Sequence, residues 1–172
     1  MKSKHVIAAI TAAFLFSAPP TYAASDDECA IWLCLPTGFP SGCGDAKSAF
    51  KKRIKKFKPP LPSFSSCLFS GDLPASTPSN DTDMSAKDGR AAYIPPRSVC
   101  AEYGSYCTRY EIVPSQILKN TSCHIDKDRN STPKYCTRTI RYVETFQNGQ
   151  QYGETHYFDH AGNTYFEGVT AP

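Results

Sequence analysis

Eight cysteines stand in two blocks of four: Cys29, Cys34, Cys43 and Cys67, then Cys100, Cys107, Cys123 and Cys136. An even number behind an export-type leader predicts disulfides, because such a chain folds outside the reducing cytosol. The even split predicts two separately stapled modules. With 14 prolines among 172 residues, the chain has little apolar material for one large core. Each bridge offsets that deficit by about 2–4 kcal/mol, mainly by restricting the unfolded chain.

Lys2 and Lys4 precede an apolar run from Val6 to Ala18, which Pro19 and Pro20 terminate. Thr21-Tyr22-Ala23 then places small residues at both positions that a signal peptidase reads. The pattern predicts a cleaved leader over residues 1–23 and a periplasmic product. The run is too short for a permanent span. Charge is unevenly spread: residues 24–70 carry a net +3 and residues 71–172 a net −2.

Ser25-Asp26-Asp27-Glu28 reads as a capping box, with acids suited to the positive helix end. The predicted helix runs through Cys29 to Leu35 and stops before Pro36 and Gly38. A second helix is predicted from Gly44 to Phe57 or Lys58, with Ala46, Ala49, Phe50, Ile54 and Phe57 forming one apolar stripe. Lys47, Lys51, Lys52, Arg53, Lys55 and Lys56 occupy the rest of its surface and make the candidate contact face. A basic helix of this kind is also an ordinary solvated face. Four cysteines admit three pairings; the arrangement expected is Cys34–Cys43 closing the Gly/Pro loop and Cys29–Cys67 tying the ends.

The run Cys29-Ala-Ile-Trp-Leu-Cys34-Leu, Ser41-Gly-Cys43, the Ala46-Lys-Ser-Ala49-Phe helix and Pro62-Ser-Phe-Ser-Ser-Cys67 form one pattern. It resembles the TrbM/KikA family of small exported proteins encoded in plasmid conjugal-transfer regions. The resemblance covers roughly residues 25–70 and carries over the four cysteines and the basic helix. It implies a role in mating-pair formation beside a conjugative type IV secretion system, with protein components of that apparatus as partners. The basic helix adds an anionic membrane surface as a second expected partner; nucleic acid is not expected.

Residues 71–96 have Ser/Pro-rich linker composition. Beyond them, alternation with aromatic and β-branched residues predicts strands over 106–113 and 134–147. Asn148-Gly149 predicts a hairpin, with a return strand over 151–158, a turn over 159–163 and a short strand over 164–167. The expected fold is therefore small, disulfide-rich α+β. It comprises a helical hairpin (24–70), a linker (71–96) and an antiparallel β-meander (97–172).

Catalytic chemistry finds little support in the sequence. His156, His160 and His124 lack the short ligand spacing of zinc sites, so neither a metal nor a cofactor is expected. Paired cysteines leave no nucleophilic thiol. Asp26, Asp27 and Glu28 are explained as helix-start residues, while Glu102 and Glu111 lack a recognisable partner context. There is no phosphate-cradling glycine loop and no Gly-x-Ser-x-Gly elbow. A non-enzymatic protein acting by contact is expected, with a secreted cysteine-rich toxin, effector or inhibitor as the alternative.

Overall fold

A computed structural model of the chain describes residues 24–68 and 83–170. The expected leader, its cleavage point and the first part of the expected linker lie outside the described residues. The fold is small, disulfide-rich α+β. Among the described residues, helices α1 (Asp26–Cys29), α2 (Ile31–Cys34), α3 (Gly44–Lys55) and α4 (Phe64–Leu68) precede ten strands, mostly short, all paired antiparallel.

Where one helix is expected up to Leu35, the chain forms α1, α2 and a 3-10 turn at Leu35–Thr37. Ser25 caps α1 by accepting from the Glu28 amide at 3.3 Å. Glu28 does not reach back; its carboxylate pairs with Arg53 at 3.0 Å. Pro36 and Gly38 end the run, Gly38 taking φ 76°, a left-handed conformation suited to glycine. Helix α3 buries Ala46, Phe50, Arg53 and Ile54. The bridges join Cys29 to Cys67 and Cys34 to Cys43, the arrangement expected from the sequence.

The six-stranded sheet has the order β10-β9-β7-β1-β4, with β8 also paired to β7. Its long central pair is β1 (Met84–Ile94) against β7 (Arg138–Gln147). This corrects the linker expectation, because the second part of the Ser/Pro-rich stretch is a central strand. β4 (Gln116–Lys119) flanks β1; β8 (Gln150–Gln151), β9 (His156–Phe158) and β10 (Thr164–Tyr165) follow the Asn148-Gly149 turn. The return strand is thus broken into β8 and β9. Gly153 lies in the gap, and the Glu154 amide leaves the sheet to donate to Pro36 O at 3.1 Å.

Ile31, Leu35, Phe39, Phe50, Val143 and Phe158 share one buried cluster, so helices and sheet have a common core. Its centre is aromatic: the Phe50 ring lies 5.4 Å from Phe39, 5.4 Å from His156 and 5.0 Å from Phe158. The opposite sheet face gathers Ala91, Ile117, Ile140 and Tyr142, with Tyr93, Tyr157 and Tyr165 packed over them. Tyr142 lies across Gly89, its cross-strand partner, where any Cβ would approach the ring to 2.7 Å. At one end Ser115 joins the sheet's two edges. Its amide donates to Val169 O at 2.8 Å, and its carbonyl accepts from Gly168 at 2.9 Å. Its hydroxyl donates to Phe166 O at 2.9 Å.

A second antiparallel pair, β2 (Arg97–Tyr103) with β3 (Cys107–Val113), stands apart from the main sheet. Cys100–Cys107 staples this hairpin; Cys123–Cys136 ties the loop carrying β5 (His124–Ile125) and β6 (Ser131–Thr132) to the chain entering β7. The expectation that the later four cysteines hold the irregular segment to the first meander strand is met by the second of these bridges.

Gly153 tests the helix–sheet junction. It has φ +78°, and a Cβ there would collide with the Pro36 ring and backbone, whereas Gly149 shares that φ with nothing within 4 Å. Gly153→Ala is expected to cost about 2–4 kcal/mol and Gly149→Ala about 1 kcal/mol in thermal denaturation.

Candidate contact surface

Each basic residue of α3 has a distinct place. Arg53 is only 7% exposed. Besides its pair with Glu28, it donates through Nε to Pro59 O at 3.0 Å and through Nη2 to Leu61 O at 3.1 Å. It is therefore an internal clamp that fixes the proline segment, which corrects its assignment to the contact face. The planar fork suits three separate acceptors in a way a lysine could not.

Lys51 is half-buried, its stem against Gly162 in the β9–β10 turn, where an added Cβ would meet Lys51 Cγ at 2.7 Å. Lys47 is exposed but acts electrostatically on buried His156. These two mark the seam between α3 and the sheet. Lys52, Lys55 and Lys56 face solvent. Lys52, Lys56 and Lys58 share an open pocket of about 480 Å³ with Asp27, Glu28 and Asp45.

Phe57 departs most from the sequence expectation. Rather than extending the apolar stripe, it is 91% exposed. Helix α3 ends before it: the Lys58 amide donates to Arg53 O at 3.0 Å and the Phe57 amide to Ile54 O at 3.0 Å, with Phe57 at φ 55°. That is a helix-closing turn with Phe57 in its left-handed position. Helical periodicity cannot detect such a swing, because it assumes that the helix continues.

A second exposed surface lies on the β2–β3 hairpin. Tyr110 and Ile112, two apart on β3 and so on one side, are 67% and 52% exposed, and Tyr106 at the tip is 78% exposed. Glu102 and Glu111 lie here too, flanking Arg109 at 3.7 and 3.3 Å. These exposed ion pairs contribute little to stability. The Tyr-rich face of the main sheet is internally bonded instead. Lys119 reaches Glu144 at 2.6 Å, Thr155 donates to Glu144 at 2.9 Å, and Tyr142 donates to Asn120 at 2.7 Å. Burial opposes the charge of Glu144, yet the Lys119 and Thr155 donors hold its carboxyl below the ordinary range.

The histidines do not converge. His156 is buried among Phe39, Phe50 and Phe158, whereas His124 and His160 are exposed. Among the described residues no three His, Cys, Asp or Glu side chains cluster as a metal site, and every described cysteine is bridged. Four disulfides belong to an oxidising compartment. No helix among the described residues is long and apolar enough to cross a membrane. Comparison with protein-family models, curated proteins and solved structures finds no match.

Burial, aided by Lys47, lowers the His156 pKa to about 4 from 6.5. The folded state therefore prefers neutral imidazole, and its contribution is complete above pH 6.5 and lost as pH falls toward 4. Denaturant unfolding should show a loss of about 3 kcal/mol across that window, and His156→Leu should flatten it. Separately, Arg53→Gln should cost about 2–4 kcal/mol by leaving buried acceptors unmet. Lys52→Gln should stay within about 0.5 kcal/mol of the parent in the same experiment.

Proposed function

We propose that this chain is an exported, non-enzymatic accessory protein of a plasmid conjugal-transfer apparatus, working by contact in the periplasm during mating-pair formation. The observation that carries the reading is the N-terminal cysteine pattern, with its nested Cys29–Cys67 and Cys34–Cys43 bridges around a basic helix. The four bridges support an oxidising workplace, and the leader pattern supports export to it. Lys52, Lys55 and Lys56 offer the free basic surface, and Tyr106, Tyr110 and Ile112 offer an apolar one. Both suit docking to protein components of a secretion machine.

The exposed hairpin also favours a second reading, a secreted effector or inhibitor that presents this arm to a target outside the producing cell. Location separates the two readings: an effector accumulates in the medium, and an accessory protein stays in the envelope. Deleting the gene should lower plasmid transfer at least tenfold on solid or in liquid medium without slowing growth. Complementation with Lys52→Glu/Lys55→Glu/Lys56→Glu should restore the folded protein but not transfer. Unchanged transfer in the deletion strain would sink the conjugation reading.

A further inference from the structure

Among the described residues three aromatic ones adopt a left-handed backbone: Phe39 at φ 59°, Tyr135 at φ 70° and Phe57 at φ 55°. For a bulky side chain this conformation is strained and calls for a compensating interaction. Phe39 has one, being 8% exposed with its ring 5.4 Å from Phe50 and 5.4 Å from His156. Tyr135 has one as well, with the Arg97 guanidinium 4.4 Å and the Lys134 ammonium 5.0 Å from its ring centre. Phe57 is 91% exposed, at a helix-closing position where glycine would be free of strain. The fold therefore gains nothing visible from an aromatic ring there.

The surroundings of Phe57 indicate what the ring meets. Lys55 and Lys56 precede it, Lys58 follows it, and all three are exposed. Of the acids that share the neighbouring pocket with Lys56 and Lys58, Glu28 is paired with Arg53, while Asp27 and Asp45 also line that pocket. An exposed aromatic ring bracketed by ammonium groups is the arrangement of an interfacial anchor: the ring enters the boundary between headgroups and acyl chains while the lysines meet anionic phosphates. The projecting turn can make this contact without altering the core, since Phe50 and Ile54 already complete the buried side of α3.

We propose that the C-terminal turn of α3 is a membrane-surface anchor, with Phe57 as the wedge and Lys55, Lys56 and Lys58 as contacts to an anionic phospholipid bilayer. The proposal goes beyond the transfer reading and stands independently of it, because any protein with this turn would behave alike at such a surface.

The test uses the oxidised chain, residues 24–172, with vesicles of phosphatidylglycerol and phosphatidylethanolamine or of phosphatidylcholine alone, read by co-sedimentation. Binding should occur on the anionic vesicles, weaken as salt rises, and be negligible on phosphatidylcholine. Phe57→Gly should weaken binding about tenfold while leaving the thermal midpoint unchanged or raised, because glycine relieves the left-handed strain. Loss of binding therefore cannot be ascribed to misfolding. Lys55→Gln/Lys56→Gln should weaken binding about twentyfold, and Ile125→Gln, at another exposed apolar position, should change nothing. Absence of binding to the anionic vesicles overturns the proposal and leaves an acidic protein as the partner of the lysines. Binding that is indifferent to Phe57→Gly also overturns it, reducing the contact to nonspecific charge attraction. Plasmid transfer that fails on gene deletion but survives Phe57→Gly would separate the fate of the anchor from that of the transfer reading.

Discussion

The Phe50 ring holds the two halves of this protein together. It projects from α3 into the sheet, meeting Phe158 and His156 from β9 and Phe39 from the loop after the 3-10 turn. All four bridges close loops within their own half, spanning 38, 9, 7 and 13 residues. Covalent bonds thus fix local shape, and the mutual arrangement of helices and sheet rests on aromatic packing and on the contact between Gly153 and Pro36. A buried histidine within that packing makes the junction sensitive to acid, since a charged imidazole cannot be solvated among three phenyl rings.

Apart from the Cys29–Cys67 bridge, which follows within its block of four once Cys34 and Cys43 are paired, what the sequence could reveal depended on how local the determining interaction was. The Gly/Pro loop between Cys34 and Cys43 brings its own ends together, so that bridge was readable, as was the Asn148-Gly149 turn. Strand β1 was not. Met84-Ser-Ala-Lys-Asp-Gly-Arg resembles a linker in composition, and it becomes a strand because β7 supplies a continuous antiparallel partner. Gly89 weakens the strand locally, but Tyr142 covers the vacancy from the neighbouring strand. Such a pairing joins residues from Tyr93 and Arg138 at its near end to Met84 and Gln147 at its far end, beyond the reach of any periodicity.

The basic helix shows the same limit at single-residue scale. Arg53 and Lys52 are adjacent cations in one run, yet Arg53 is a buried clamp and Lys52 a solvent-facing charge. The difference comes from the Pro59–Leu61 segment, which folds back to present two carbonyls to the guanidinium, and from Glu28 on another helix. Neither is encoded in the spacing of the lysines. Phe57 errs in the opposite direction: its spacing matches the buried stripe, but the helix closes two residues earlier and turns the ring outward.

These observations divide the surface by what holds each part in shape. The Tyr-rich face of the main sheet spends its polar groups on one another, through Lys119, Glu144, Thr155, Tyr142 and Asn120, which leaves it poorly equipped to greet a partner. The β2–β3 hairpin is the reverse case. An isolated two-stranded ribbon is marginal in water, so the Cys100–Cys107 bridge replaces the core that the hairpin lacks and keeps Tyr106, Tyr110 and Ile112 displayed. The turn at Phe57 is likewise held from within, by the closing hydrogen bonds of α3 and the Arg53 clamp behind it. In both places the shape is stable before any partner arrives, so little ordering entropy remains to oppose contact. A protein with so modest a core can present two firm apolar projections because bridges and a single buried arginine, rather than extensive burial, fix them.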